Sequence, residues 1–326
     1  MRINKTEKKI NAIGAGVSYL TSIITHKPFI SGMPLTAGIE ITNHCNLKCP
    51  ECPSGSDILT RTRGFMTEKL FDKFISEAGT YLYNINLYFQ GEPMLHPLFF
   101  SFVDKCGRSS ITVSTNGHFL EGANSRKIAE SHIRKLIISL DGMDNETYSK
   151  YRVGGDFEKV VSGIRAVSEE LSSVKSSMKL EIQFLVNRYN ESQIPTVKKY
   201  AKEVKATLKL KSMQVINNEE IEKWMPENEK FRRYKLDKER GFKLKNSFKN
   251  NCLRLWMNPV VTWEGKVVPC CFDKDADYIM GDLNESSLRE IWHGEKYKSF
   301  RNSVLKGRQK IEICRNCTSG LKGVPI

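Results

Sequence analysis

Between residues 35 and 215 the chain alternates strand-like and helix-like segments, and this alternation limits the fold more than anything else in its 326 residues. Short runs rich in β-branched, apolar and aromatic residues fall at 35–42, 83–90, 109–116, 135–141, 179–186 and 207–215. Between them lie stretches with helical apolar spacing: one opens at Thr67, and others cover 97–106, 121–132, 157–171 and 191–204. A strand followed by a helix cannot turn back as a hairpin. The connection crosses over, so the sheet is parallel and the helices cover it. Six such units predict an α/β fold, a partial (β/α)6 TIM-type barrel, with chemistry on the loops after the C-terminal ends of the strands.

Three segments flank or follow this core. Residues 1–34 read as an amphipathic leader, with Ile10, Ile13, Val17, Leu20 and Ile24 at helical spacing. That apolar face is expected to pack on the body of the protein, with a weak membrane-surface contact as the less favoured reading. Ser18, Thr21, Ser22 and Thr25 interrupt it, no cleavage site follows, and no apolar run reaches the ~18 residues that cross a bilayer. A cytoplasmic location with no membrane span is the expectation. Residues 216–250 are highly charged and weakly periodic, a connector or lid. Residues 251–326 form a small α+β module, with a hairpin turning at Glu264-Gly265 and one helix over 286–307. The net charge of +14 comes from lysines spread along the whole chain, without aromatic-interleaved basic motifs. It therefore argues for a solvated surface rather than a nucleic-acid partner.

Nine cysteines in a chain expected to be cytoplasmic point to metal or catalytic chemistry rather than disulfides. Cys106 stands alone after an apolar stretch and reads as a small buried hydrophobe. Cys45, Cys49 and Cys52 follow the first strand with spacing Cys-x3-Cys-x2-Cys. Three thiolates can hold three irons of a cubane and leave the fourth without a protein ligand, open to chelate a cofactor or substrate. A zinc ion accounts for the same thiols if His44 completes the four ligands. Ligand count alone keeps both open. Cys252, Cys270, Cys271, Cys314 and Cys317 lie beyond residue 250.

The segment CNLKCPEC at 45–52 resembles the cluster signature of the radical S-adenosylmethionine (SAM) superfamily. The resemblance implies a 4Fe-4S cluster on Cys45, Cys49 and Cys52 whose open iron binds SAM and cleaves it reductively. The resulting 5′-deoxyadenosyl radical abstracts hydrogen from substrate. Gln90-Gly91-Glu92-Pro93 is similar to the family's Gly-Gly-Glu-Pro motif, which implies that Gly91 and Glu92 meet the SAM amino group. The strand ends Ser114–Gly117 and Ser139–Gly142 stand where the family contacts ribose and methionine, which implies roles for Asn116, Ser139 and Asp141. Arg152, in KYRVGGDF, is similar to an arginine that pairs with the SAM carboxylate. Glu51 departs from the pattern: many relatives carry an aromatic residue before the third cysteine, near adenine.

The pattern Cys252-x12-Gly265-x4-Cys270 and Cys314-x2-Cys317 resembles the SPASM domain or its shorter form, twitch. It implies one auxiliary 4Fe-4S cluster on Cys252, Cys270, Cys314 and Cys317, with Cys271 a bystander or alternate ligand. Four thiolates would also suit structural zinc. No cysteine follows Cys317, so a single auxiliary cluster is expected. Twitch relatives oxidise a secondary alcohol of an aminoglycoside precursor. The resemblance therefore implies net oxidation of a small-molecule alcohol or sugar, the auxiliary cluster taking an electron and flavodoxin or ferredoxin serving as reductant. Radical modification of a peptide is the alternative, RNA modification ranks after it, and a zinc-stabilised binding module without turnover is the reading from another class. Glu222, Asp273 and Arg152 are candidates for the general base by position alone, and none is singled out.

Overall fold

All six strand-like runs form strands in the computed structural model, which describes residues 5–107, 109–237, 241–245 and 249–317. Parts of the expected leader (1–4), connector (238–240, 246–248) and auxiliary module (318–326) lie outside the described residues. In chain order the elements are α1 (Lys5–Thr25), β1 (Thr36–Ile39), α2 (Glu68–Ala78), β2 (Asn84–Asn86), α3 (Phe99–Lys105) and β3 (Ser110–Thr115). There follow α4 (Ala123–Glu130), β4 (Ile133–Ser139), α5 (Asn145–Tyr151), α6 (Phe157–Ser173), β5 (Lys179–Val186), α7 (Ile194–Glu203) and β6 (Thr207–Ser212). Thr67 begins α2 as its sequence position suggested, its hydroxyl accepting from the Leu70 N–H at 3.3 Å. The short α5, capped by Asp144, is the element the periodicity missed.

The chain forms two compact units. The first takes in described residues 5–44, 59–111 and 249–317; the second takes in 45–58, 112–237 and 241–245, and β3 runs from one into the other. In the first unit β1 pairs with β2 in parallel, Ala37 opposite Ile85. Phe71 of α2 and Phe102 of α3 stack at 4.1 Å in its core. In the second unit β4, β5 and β6 pair in parallel, and Val160, Val161, Ile164 and Val167 of α6 are buried.

Residues past 215 are more ordered than a loose connector. In the second unit α8 (Ile221–Trp224) and the hairpin β7 (Tyr234–Asp237) and β8 (Gly241–Leu244) bury Ile221, Trp224 and Tyr234. In the first unit β9 (Val260–Val261) and β10 (Lys266–Val268) make the expected hairpin, and β11 (Gly281–Asp282) adds to it. β9 pairs in parallel with β1, Gly38 opposite Val260, so the auxiliary module continues the first unit's sheet. The helix expected over 286–307 is two: α9 (Leu288–His293) and α10 (Glu295–Gly307), followed by α11 (Glu312–Arg315). Gly294, in extended conformation, ends one and begins the next. A glycine inside a helical pattern costs about 1 kcal/mol against alanine, and here it marks the break.

The leader forms its helix but presents the opposite face. Ile10, Ile13, Val17, Leu20 and Ile24 are exposed, while Asn11, Ala15, Ser18 and Ser22 are buried. Hydrogen bonds decide the orientation. Asn11 pairs through its amide with the Met33 backbone, donating at 3.1 Å and accepting at 2.7 Å. Ser18 accepts from the Ser31 N–H at 2.9 Å, and Ser22 accepts from the Phe29 N–H at 2.8 Å and from Trp256 Nε1 at 3.1 Å. These partners satisfy the backbone of residues 29–33, which would otherwise be left unpaired in the contact.

Candidate functional site

The loop after β1 carries Cys45, Cys49 and Cys52 into the second unit, where turns shape it. The Cys52 N–H donates to the Cys49 carbonyl at 3.2 Å, and the Gly55 and Ser56 N–H groups donate to the Cys52 carbonyl at 2.9 and 2.8 Å. A Cβ on Gly55 would lie 2.5 Å from the Cys49 nitrogen, so the loop closes this tightly only with glycine there. Cys49 is buried among Leu47, Tyr151, Met213, Val215, Ile221 and Trp224, and Cys45 and Cys52 pack against the same group. Burial pushes the Cys49 thiol up to about 11, against the pull of Arg152. A metal held by this thiol would have to displace its proton.

Arg152 and Asp141, which both fall in the connection between β4 and β5, form one ion pair. Asp141 is fully buried; Oδ2 accepts from Arg152 Nε at 2.6 Å and Nη2 at 2.5 Å, and Oδ1 accepts from the Leu185 N–H at 2.6 Å. The other Arg152 nitrogen, Nη1, lies 3.8 Å from Cys49 Sγ. Burial works against its charge, but Asp141 and then Cys49 outweigh it and hold the guanidinium well above its ordinary pKa. Removing one partner of a buried pair strands the other. Asp141→Asn should lower stability by about 3–5 kcal/mol in urea unfolding, whether or not cofactor is loaded.

Asn116 also turns toward the cysteines. Its Nδ2 donates to Asn46 Oδ1 at 2.8 Å and lies 3.9 Å from Cys45 Sγ. His118, which the sequence reading passed over, orients it. His118 Nε2 accepts from the Asp156 N–H at 2.8 Å, so Nδ1 carries the proton and donates to Asn116 Oδ1 at 3.0 Å. Burial lowers the His118 pKa, which keeps this neutral tautomer. Ser139 is buried at the end of β4. Glu51 accepts from the Ile216 N–H at 2.7 Å and so joins the cysteine loop to the start of the 216–250 segment. Trp224, from that segment, packs edge-on to Tyr151 at 5.6 Å and to Tyr189 at 5.5 Å.

Gly91 and Glu92 lie in the first unit, after β2. The Glu92 N–H donates to the carbonyl of His44, the residue before Cys45, at 2.8 Å. Its buried carboxylate caps the next turn, accepting from the Met94 N–H at 3.1 Å. Gly91 has φ +77°, and a Cβ there would sit 2.6 Å from the His44 carbonyl oxygen.

The later cysteines sort themselves in the same unit. Cys252, Cys270, Cys314 and Cys317 line one apolar pocket with Leu255, Phe300 and Val304. Cys271 faces elsewhere, against Val260, Val268 and Ala276, and accepts from Arg254 Nη1 at 3.0 Å. Two arginines that the sequence analysis did not single out, Arg254 and Arg308, border the thiols. Arg308 is buried, its Nη2 3.4 Å from Cys317 Sγ and its Nη1 donating to the Asn251 carbonyl at 2.7 Å. Arg254 has its pKa raised, first by Cys271. Among the described residues no group of three or more His, Cys, Asp or Glu side chains is arranged to hold a single metal ion. A cubane, with a different iron under each thiolate, does not draw its ligands to one point. Of the base candidates, Glu222 is exposed on α8 and Asp273 spends its oxygens on the N–H groups of Asp277 (2.9 Å) and Tyr278 (3.0 Å). Burial nonetheless lifts Asp273 to about 6.

Two family models match the chain. The model of the radical SAM superfamily matches residues 39–180, and that of the SPASM iron–sulfur cluster-binding domain matches residues 252–318. The chain belongs to the radical SAM superfamily. Its C-terminal part is a SPASM domain, and its cofactors are SAM and 4Fe-4S clusters, an auxiliary one among them. The AdoMet-dependent heme synthase of Methanosarcina barkeri is 24% identical over 338 residues, spanning 90% of this radical SAM chain and 92% of its own. The S-adenosyl-L-methionine-dependent 2-deoxy-scyllo-inosamine dehydrogenase of Niallia circulans is 39% identical over 61 residues, 18% of this chain and 24% of its own. Among solved structures, BtrN in complex with AdoMet and 2-DOIA has the same fold. Its TM-score is 0.57 at 20% identity, over 91% of this chain and 97% of BtrN. The α/β fold of parallel β/α units is thus the radical SAM fold, as the strand pattern predicted. Among the described residues no helix is long and apolar enough to cross a membrane.

Proposed function

We propose that this radical SAM chain dehydrogenates a small-molecule alcohol or sugar. Cys45, Cys49 and Cys52 would hold the SAM-binding cluster, and Cys252, Cys270, Cys314 and Cys317 a fully ligated auxiliary cluster. Roles toward SAM for Gly91, Glu92, Asn116, Ser139, Asp141 and Arg152 belong to the same proposal. The observation that carries it is the pocket faced by four cysteines and not by Cys271. A cluster with every iron held by protein has no corner for substrate, so its use is to move electrons. With both clusters and SAM bound, the enzyme gains a one-electron route for removing a hydrogen atom from a C–H bond. In that scheme the substrate would lose a proton to a base and its remaining electron to the cluster that Cys252, Cys270, Cys314 and Cys317 would hold, so that the alcohol becomes a ketone. The local identity with the inosamine dehydrogenase supports that outcome.

The test is Cys252→Ala, assayed anaerobically with SAM, reductant and a panel of aminocyclitols and sugars. Iron should fall from about eight to about four per chain, with 5′-deoxyadenosine still formed and ketone lost. Cys271→Ala should keep all three. Unchanged ketone formation by Cys252→Ala would refute the electron-accepting role. The heme synthase that matches over nine tenths of the chain supports a second reading, a tetrapyrrole substrate. Titration with a porphyrin, followed through its visible absorption, separates the two.

A further inference from the structure

The exposed stripe on α1 needs a reason. Ile10, Ile13, Val17, Leu20 and Ile24 are each between 48% and 77% exposed, on one side of a helix whose other side is pinned by Asn11, Ser18 and Ser22. The stripe runs about 21 Å and leaves roughly 600 Å² of aliphatic surface in water, at the upper end of what a monomer normally shows in one patch. Its ends are alike. Near the start, Lys9 is exposed and Lys8 lies 4.5 Å over the ring of the exposed Tyr83; past the end come exposed His26, Lys27 and Phe29. From Thr6 to Met33 the only acid is Glu7.

We propose that this face of α1 docks the protein on an anionic membrane surface, with the five aliphatic residues entering the headgroup boundary and Lys9 and Lys27 meeting lipid phosphates. Charge complementarity selects this occupant. An aliphatic stripe with basic and aromatic residues at both ends is the pattern of a helix lying in the interface plane. A second copy of the chain fits less well, because either pairing of two α1 helices sets basic ends against basic ends. Such a pair would also bury only about 1,200 Å², the lower limit for a specific interface.

Cosedimentation of the cluster-loaded protein with vesicles tests this. The protein should pellet with phosphatidylglycerol vesicles, stay in solution with phosphatidylcholine alone, and be released as salt rises. Ile13→Asp combined with Leu20→Asp should abolish pelleting, and Lys9→Gln with Lys27→Gln should weaken it about 30-fold. Both variants should keep iron content and 5′-deoxyadenosine formation, since all four residues are exposed and their side chains are not among the groups that hold the helix in place. The proposal is overturned if the unaltered protein ignores phosphatidylglycerol, if the double aspartate variant still pellets, or if lipid-free protein is a dimer that this variant splits.

Discussion

Cys49→Ala should leave the protein folded, with about half its iron and at least about 1,000-fold less 5′-deoxyadenosine. The two halves of that result have separate causes. Cys49 is 4% exposed, so the change removes one buried sulfur and opens a small hole among Tyr151, Ile221 and Trp224. The cost is about 1 kcal/mol, which a domain of this size tolerates. Arg152 loses a neighbour but keeps Asp141, so no buried charge is stranded. The proposed cluster fares differently. With only Cys45 and Cys52 left, two irons of four would have protein ligands, and nothing would hold the open iron at a fixed place. Cys106→Ala is the matched control, because Cys106 is 3% exposed and burial pushes its thiol up to about 12. It should cost similar stability in thermal unfolding and no iron. If Cys49→Ala kept its full iron, the assignment of the first cluster would be wrong.

What was legible beforehand followed from local spacing. Strand periodicity placed β1 to β6, Thr67 marked the start of α2, and three thiols in eight residues located the first candidate centre. What escaped depends on contacts far apart in sequence. The leader's apolar period is real, but a period names a stripe and not its partner. The hydrogen-bonding needs of residues 29–33 chose the polar side. In the same way the charge-rich 216–250 segment hides Ile221 and Trp224, which meet the cysteine loop only after folding. Glu51, read as a missing aromatic, is used instead to hold the Ile216 N–H. Nothing in the local sequence marks Arg308, yet it is buried beside Cys317. Arg152 shows the limit of a motif: the family resemblance implies the proposed role toward SAM, while its bond to Asp141 appears only in the folded chain.

Gly91→Ala should abolish SAM cleavage while the four-cysteine pocket of the SPASM domain still loads its irons. Two penalties act at this glycine. Its φ of +77° lies in the left-handed region, which by itself costs an alanine about 1 kcal/mol. The added Cβ would also stand 2.6 Å from the His44 carbonyl oxygen and 2.7 Å from the Asn43 Cα, backbone atoms with no rotamer to yield. That same His44 carbonyl accepts the Glu92 N–H. Relief of the clash therefore moves either the Glu92 turn or the residue that leads directly into Cys45. Together the penalties should reach about 3 kcal/mol or more, and the loss of cleavage should exceed 100-fold. Gly122→Ala separates the two effects. Gly122 has φ +62° but no described atom within 4 Å of the added Cβ, so it should show the conformational cost alone and keep cleavage. Equal loss in both variants would mean that backbone conformation, and not the close approach of Gly91 to His44, is what the first centre requires.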